Sequence, residues 1–256
     1  MKTLVVAQQK GGVGKTSSLV HLAFDFFERG LRVAVIDLDT QGNASFTLQD
    51  FRSGYLASQM FDQDGDNLRE WFSDLPNEPL ISLIESDAVL ANMEKRSHAD
   101  IATVFTENIK ALADSGFDVV FVDTAPALGV SLVASLYAAD CVLSPIELEA
   151  YSIQGIKKML TTIANVRKRN TKLKFLGMVP SKVDARNPRH VRHLNELQTA
   201  YPQLMIPAGI GLRSSIADAL ASGVPVWKIK KTAARKATTE VRALAAYVFE
   251  KMEIIK

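Results

Sequence analysis

The stretch Gln8-Gln9-Lys10-Gly11-Gly12-Val13-Gly14-Lys15-Thr16-Ser17 lies between a short β-branched run, Thr3 to Ala7, and an amphipathic one, Lys15 to Arg29. Glycines at such a junction free the backbone to turn its N–H groups inward, and the helix that follows points its positive end at the same spot. The result is a cradle for phosphate oxygens. Lys15 is placed to bridge the outer phosphates and the Thr16 hydroxyl to ligate magnesium. Strand, loop and helix in this order predict an α/β fold whose nucleotide-binding loop is Lys10, Gly11, Gly12, Val13, Gly14, Lys15, Thr16 and Ser17.

Working outward, Leu19, Leu22, Ala23, Phe26 and Phe27 mark one apolar face of the first helix, and Gly30 ends it. Leu31 to Asp37 is a continuous apolar strand of the kind covered on both faces. Further strands are expected at Leu80–Ile84, Val119–Asp123, Cys141–Ser144, Phe175–Val179 and Leu204–Ile206. Helices are expected over Ala99–Ser115, Val130–Ala139, Ile153–Arg169, Pro188–Tyr201, Ser214–Ala221 and Thr238–Lys251. The alternation predicts a mostly parallel twisted sheet flanked by helices, as one domain over residues 1–256. Phe51 to Pro79 is the least regular part and reads as an excursion from the sheet; its Asp62-Gln63-Asp64-Gly65-Asp66 cluster lacks a full calcium-loop pattern and reads as a solvated turn.

Two strands end in acids. Val35-Ile36-Asp37-Leu38-Asp39-Thr40-Gln41-Gly42-Asn43 puts Asp37 and Asp39 on one side of the chain, at the carboxyl edge where parallel sheets bind ligands. A carboxylate there can ligate magnesium through water or orient an attacking water, although Asp37 could instead cap the loop. Phe117 to Asp123 is an apolar strand whose terminal Asp123 would hold the metal opposite Thr16.

With 47% apolar and 23% charged residues the chain is globular, and neither a signal-peptide core nor a membrane span is present in the sequence. The single cysteine, Cys141, forms no internal disulfide and suits a reducing cytoplasm. The net charge of +2 hides a division: residues 1–150 carry 10 Lys+Arg against 22 Asp+Glu, and residues 151–256 carry 20 against 6. A half with net charge +14 is a candidate polyanion surface, unless both halves mix into a surface mosaic.

The form Lys-Gly-Gly-x-Gly-Lys-Thr at Lys10–Thr16 resembles the deviant Walker A loop, and with Asp37–Asn43, Asp123–Gly129, Glu147–Gly155 and Ile206–Val226 the chain resembles ParA-type partition ATPases, most closely the IncC group. The resemblance spans nearly the whole chain. It implies a single-domain P-loop NTPase that hydrolyses ATP weakly with Mg2+. Thr16, Asp37 and Asp123 would serve the metal, and Lys15 and Asp39 the reaction. Lys10 would reach the nucleotide of a second subunit, and Ser181 and Pro207 match adenine contacts. It further implies an ATP-bound homodimer that binds double-stranded DNA without sequence preference, a ParB-type centromere-binding partner that stimulates hydrolysis, and a cytoplasmic protein that joins the nucleoid. Thr40 replaces the family's proline, which loosens the turn around Asp39. Too few residues precede the loop for the helix-turn-helix domain of larger relatives.

The basic half then supplies DNA-binding candidates: Arg186, Arg189 and Arg192, spaced by three as on one helical face, with Arg213, Lys228, Lys230, Lys231, Arg235 and Lys236 further on. Arg213 matches an arginine the family uses for DNA. A solvated basic face is the plainer reading. His190 and His193 read as part of that face, Cys141, Trp71 and Trp227 as packing, and Glu147 and Glu149 as structural groups at the pocket's edge. Two other functions compete. A MinD-like membrane-positioning ATPase would need an amphipathic tail, which Glu250 and Glu253 spoil in Leu244–Lys256. A scaffold that binds ATP without hydrolysing it would share the loop.

Overall fold

Leu4 and Val6 face one side of a sheet and Val5 and Ala7 the other, all four without exposed surface, and the alternation repeats through Val33/Val35 against Ala34/Ile36 and Val119/Phe121 against Val120/Val122. A strand whose two faces are both apolar must be covered twice, so the sheet is the middle of three layers. The computed structural model describes residues 1–93, 96–149 and 152–254. Ala150 and Tyr151 of the Glu147–Gly155 motif, and Ile255 and Lys256 of the tail, lie outside the described residues.

The strands are β1 Lys2–Val6, β2 Arg32–Leu38, β3 Arg52–Leu56, β4 Leu80–Glu85, β5 Val119–Thr124, β6 Cys141–Ile146 and β7 Lys174–Pro180. The helices are α1 Lys15–Glu28, α2 Asn43–Thr47, α3 Gln59–Asp62, α4 Gly65–Trp71, α5 Leu90–Met93, α6 His98–Asp114, α7 Val130–Ala138, α8 Ser152–Val166, α9 Pro188–Ala200, α10 Ser214–Ala221 and α11 Thr232–Met252. The sheet runs β3-β4-β2-β5-β1-β6-β7 with every pair parallel. One face is covered by α1, α10 and α11, the other by α3, α4, α6, α7 and α8. Each fully buried Leu, Ile, Val or Phe contributes about 1.5–3 kcal/mol, against about 0–1 kcal/mol for an exposed ion pair. The two apolar faces, not the surface charges, hold the fold.

Three expectations are corrected. Phe51–Pro79 contributes the edge strand β3 and the helices α3 and α4, with Asp64 capping α4 by accepting from Asn67 N at 2.9 Å. Leu204–Ile206 does not form a strand; a single bridge joins Met205 to Met178, and Pro207, with no N–H to donate, follows at once. The last helix begins at Thr232 rather than Thr238.

Two local features fix the elements around the loop. In β7, Gly177 has φ +127° and its missing side chain lets Leu204 approach: a β-carbon there would lie 2.8 Å from the Leu204 carbonyl oxygen. On α1, a polar stripe ties the helix to the C-terminal segment. His21 Nδ1 bonds Ser17 O at 2.8 Å, and His21 Nε2 accepts from Val226 N at 3.2 Å, which fixes the neutral Nδ1–H tautomer. Trp227 Nε1 donates to Glu28 at 2.7 Å, and Arg242 lies 3.6 Å over the Trp227 ring while pairing with buried Asp25 and with Glu28. α11 buries Leu244, Ala245, Val248 and Met252 in the same core cluster as α1, so the residues an interfacial membrane helix would insert are committed to packing. Among the described residues no helix is long and apolar enough to cross a membrane.

Gly177→Ala should lower stability by about 2–4 kcal/mol in urea unfolding, since both the left-handed backbone and the carbonyl contact oppose a side chain; an unchanged midpoint would contradict the close approach. His21, whose burial depresses its pKa to about 4, stays neutral in the fold while the unfolded chain protonates near pH 6.5. Its contribution is therefore complete above about pH 6.5 and falls by up to about 3 kcal/mol as pH drops toward 4. The stability gap between the wild type and His21→Gln should shrink by that amount between pH 7 and 4. Because the carboxylates are common to both proteins, a constant gap would contradict the buried neutral ring.

Candidate functional site

The loop between β1 and α1 owes its shape to Gly12 and Gly14, at φ +76° and +89°. A β-carbon on Gly14 would stand 2.6 Å from Ser181 Oγ, so this position has neither the conformation nor the room for a side chain. Gly14 is also the N-cap of α1 and has no side chain to accept a hydrogen bond, which leaves the first-turn N–H groups without a side-chain acceptor. Lys15 is 6% exposed, with Nζ 3.5 Å from the Lys10 carbonyl oxygen. Burial pushes its pKa down, opposed by the charges of Asp123 and Asp39. A buried ammonium beside unsatisfied N–H groups is a donor set suited to an anion.

Register brings the acids together. Asp37 and Asp123 are paired residues on the adjacent parallel strands β2 and β5, and neither has exposed surface. Asp123 accepts from Thr16 Oγ1 at 2.6 Å. Its pKa is pushed up to about 7 by burial first and by the charge of Asp37 second. Burial raises Asp37 as well, while three donors counter it: Ser45 N and Ser45 Oγ, both at 2.8 Å, and Asp39 N at 3.1 Å. Both Asp37 oxygens are thus engaged in holding the loop after β2, the capping role the sequence allowed. Asp39 instead lines a cleft of about 390 Å³ together with Gly11, Lys15, Thr16, Asn43 and Pro126. Its own carboxylate accepts from Gln41 N at 3.0 Å and its carbonyl from Gly42 N at 2.8 Å, so the turn closes without the proline that Thr40 replaces.

Among the described residues no group of three or more His, Cys, Asp or Glu converges on a metal position. The Thr16–Asp123 pair fits magnesium nonetheless, because that ion keeps waters and phosphate oxygens in its shell and takes only one or two carboxylates from protein.

At the lip of the loop, Lys10 folds back on its own chain, 2.8 Å from Glu147 Oε2 and 2.6 Å from Glu149 Oε2. Partial burial alone would lower its pKa, but the two carboxylates prevail and raise it. Glu147 also meets Lys182 at 3.2 Å. Ser181 is buried with its hydroxyl against Gly14, and Pro207 lines a separate cavity of about 620 Å³ with Pro180, Val183 and Ile206. Lys182 and Ser45 were missed in the sequence; the only available signal was their place just past strands ending at the ligand-binding edge.

The basic candidates divide by how they are paired. All six acids of residues 151–256 bind a cation of the same half: Asp184 with Arg186, Glu196 with Arg192, Asp218 with Lys231, Glu240 with Arg213, Glu250 with Lys251 and Glu253 with Lys174. Glu240 is the tightest of these, taking Arg213 Nε at 2.9 Å and Nη2 at 2.5 Å along with Gly211 N at 3.0 Å. Among the described residues Arg189, Lys228, Lys230, Arg235 and Lys236 make no salt bridge. Lys228, Lys230, Lys231 and Arg235 line one concavity with Trp227 at the start of α11. Arg186 precedes α9 instead of sharing its face, because Pro188 opens that helix. His190 Nδ1 accepts from Asp184 N and His193 Nδ1 bonds Leu148 O, and among the described residues the two belong to no group of three or more metal-binding side chains.

A family model described as an AAA domain matches residues 1–175. Protein IncC of Escherichia coli is 70% identical over 99% of this chain and 71% of that protein. The chromosome-partitioning ATPase Soj of Thermus thermophilus is 33% identical over 73% of this chain and 71% of that protein. Among solved structures, a Cyanothece McdA–ATP complex superposes with TM-score 0.81 at 22% identity, covering 100% of this chain and 98% of that one, a likeness of fold.

Proposed function

Because the chain belongs to the ParA-type partition ATPases, we propose that it works as a magnesium-dependent switch in which bound ATP joins two copies and the joined pair holds duplex DNA. The observation that carries this reading is the hydrogen bond from Thr16 to Asp123 beside buried Lys15, with Asp39 opening on the same cleft.

Lys15 and the first-turn N–H groups of α1 would neutralise and orient the outer phosphates. Thr16 and Asp123 would hold Mg2+, with Asp37 keeping the loop of Asp39 in place through Ser45 and the Asp39 N–H; the ion, when bound, would withdraw charge from the phosphate oxygens. Asp39 would orient the water that attacks the terminal phosphate. Lys10 would leave Glu147 and Glu149 to reach the partner copy's nucleotide. Ser181, against Gly14, and Pro207 would contact the adenine base. Arg189, Lys228, Lys230, Arg235 and Lys236 are the cations most available to DNA phosphates, joined by Arg186, Arg192 and Lys231 from weaker pairs. Arg213 would have to exchange Glu240 for a phosphate. A ParB-type partner would stimulate a slow intrinsic turnover, in a cytoplasmic protein that associates with the nucleoid.

Lys15→Gln should lose ATP binding by about 100-fold and with it dimerisation, whereas Asp39→Ala should bind ATP, dimerise and remain on DNA with turnover reduced by about 100-fold. Fluorescent-nucleotide titration and phosphate release check both, and unchanged turnover in the two variants would overturn the assignment. DNA affinity measured over a salt series should fall steeply for the ATP form. Replacing Lys228 or Lys230 by Ala should lower the log–log salt slope by about one each; an unaltered slope would remove the α11 entry from the DNA surface.

A further inference from the structure

We propose that Lys182 is a third phosphate-binding lysine of the nucleotide site, aimed over the glycine loop by a left-handed backbone. The proposal rests on the ATP-binding reading given above.

Lys182 has φ +55°, and only it and Glu253 among the described non-glycine residues have positive φ. A lysine in this conformation is disfavoured where glycine would be at ease, and such conformations persist only where the surroundings impose them. They do so here from both sides. Ser181 N donates to the Ile146 carbonyl at 2.8 Å and Val183 N to the Ile210 carbonyl at 3.0 Å, so the residues before and after Lys182 are pinned to separate backbone segments. The turn between them throws the side chain back toward the loop. Its ammonium stands 4.0 Å from where a β-carbon on Gly12 would lie, within reach of the space above a loop that is itself free of side chains at Gly11, Gly12 and Gly14.

The contacts of that ammonium match the role. Glu147 lies between two lysines, Oε1 at 3.2 Å from Lys182 and Oε2 at 2.8 Å from Lys10. A carboxylate shared by two ammonium groups beside the cradle is an anion held by the charges that a polyphosphate would call upon. The ion pair with Glu147 does not itself account for the backbone conformation, since a half-exposed pair of this kind adds little to stability. Lys182 is remote from the glycine loop in sequence; its reach comes from the position of the end of β7 at the same edge of the sheet as the end of β1.

The test uses the full chain and two variants, Lys182→Gly and Lys182→Met, titrated with fluorescent ATP, ADP and adenosine, with urea unfolding alongside. Glycine removes the ammonium and relieves the backbone, so Lys182→Gly should be at least as stable as the wild type. Both variants should nonetheless bind ATP about tenfold more weakly, lose less for ADP and nothing for adenosine. ATP affinity within twofold of the wild type in Lys182→Gly would overturn the proposal, as would an equal loss for ATP, ADP and adenosine. If the wild type binds no ATP, the nucleotide reading fails and this inference with it; if the wild type binds and both variants match it, the inference alone fails.

Discussion

Two carboxylates without access to water stand side by side at the ends of adjacent strands, and the surrounding residues make that arrangement tolerable. Asp37 and Asp123 are brought together by the register of β2 and β5, which the backbone ladder sets independently of their charge. Desolvation and mutual repulsion both favour protonation. Ser45, the Asp39 N–H, the Thr16 hydroxyl and the charge of Lys15 work the other way. A site that gathers negative charge next to a buried ammonium is poised to gain from a ligand that supplies both a cation and an anion. Magnesium with a triphosphate would be such a ligand, and the glycine loop, Thr16 and Asp39 line the cleft in which it would sit.

The parts of this arrangement that were legible in the sequence are those carried by long apolar runs and local spacing. β1, β2 and β5 are continuous hydrophobic strands, and the glycine loop and its helix follow without interruption. β3 was not legible because Arg52-Ser53-Gly54-Tyr55-Leu56 is an edge strand with one fully buried side chain and a glycine at φ +78°. The early start of α11 was hidden by the basic run Lys230-Lys231 and by the absence of a capping side chain. The clasp of Lys10 by Glu147 and Glu149 joins residues on neighbouring strands' ends that lie far apart along the chain. No local pattern encodes it. The left-handed backbone of Lys182 is likewise imposed by bonds from its neighbours to Ile146 and Ile210, not by its own residue type.

The charge division read from composition gains detail in three dimensions. A half-chain with excess positive charge could still have spent its acids on its most exposed cations. Here five of the six go to the exposed cations Lys174, Arg186, Arg192, Lys231 and Lys251 and the sixth to Arg213, while among the described residues Lys228, Lys230 and Arg235 around the start of α11 make no salt bridge. Composition set the sign of the surface, and pairing determined which residues express it.

The polar stripe on α1 has a mechanical consequence. This helix begins at the lysine of the glycine loop and ends where Glu28 meets Trp227, in the stretch leading to the basic entry of α11, and Arg242, within α11 itself. Fourteen residues make a stiff rod about 21 Å long, so a tilt of about 5° at one end displaces the other by about 2 Å. Fastened to the C-terminal segment at positions 21, 25 and 28, the rod would pass any such tilt on to the segment that leads into α11.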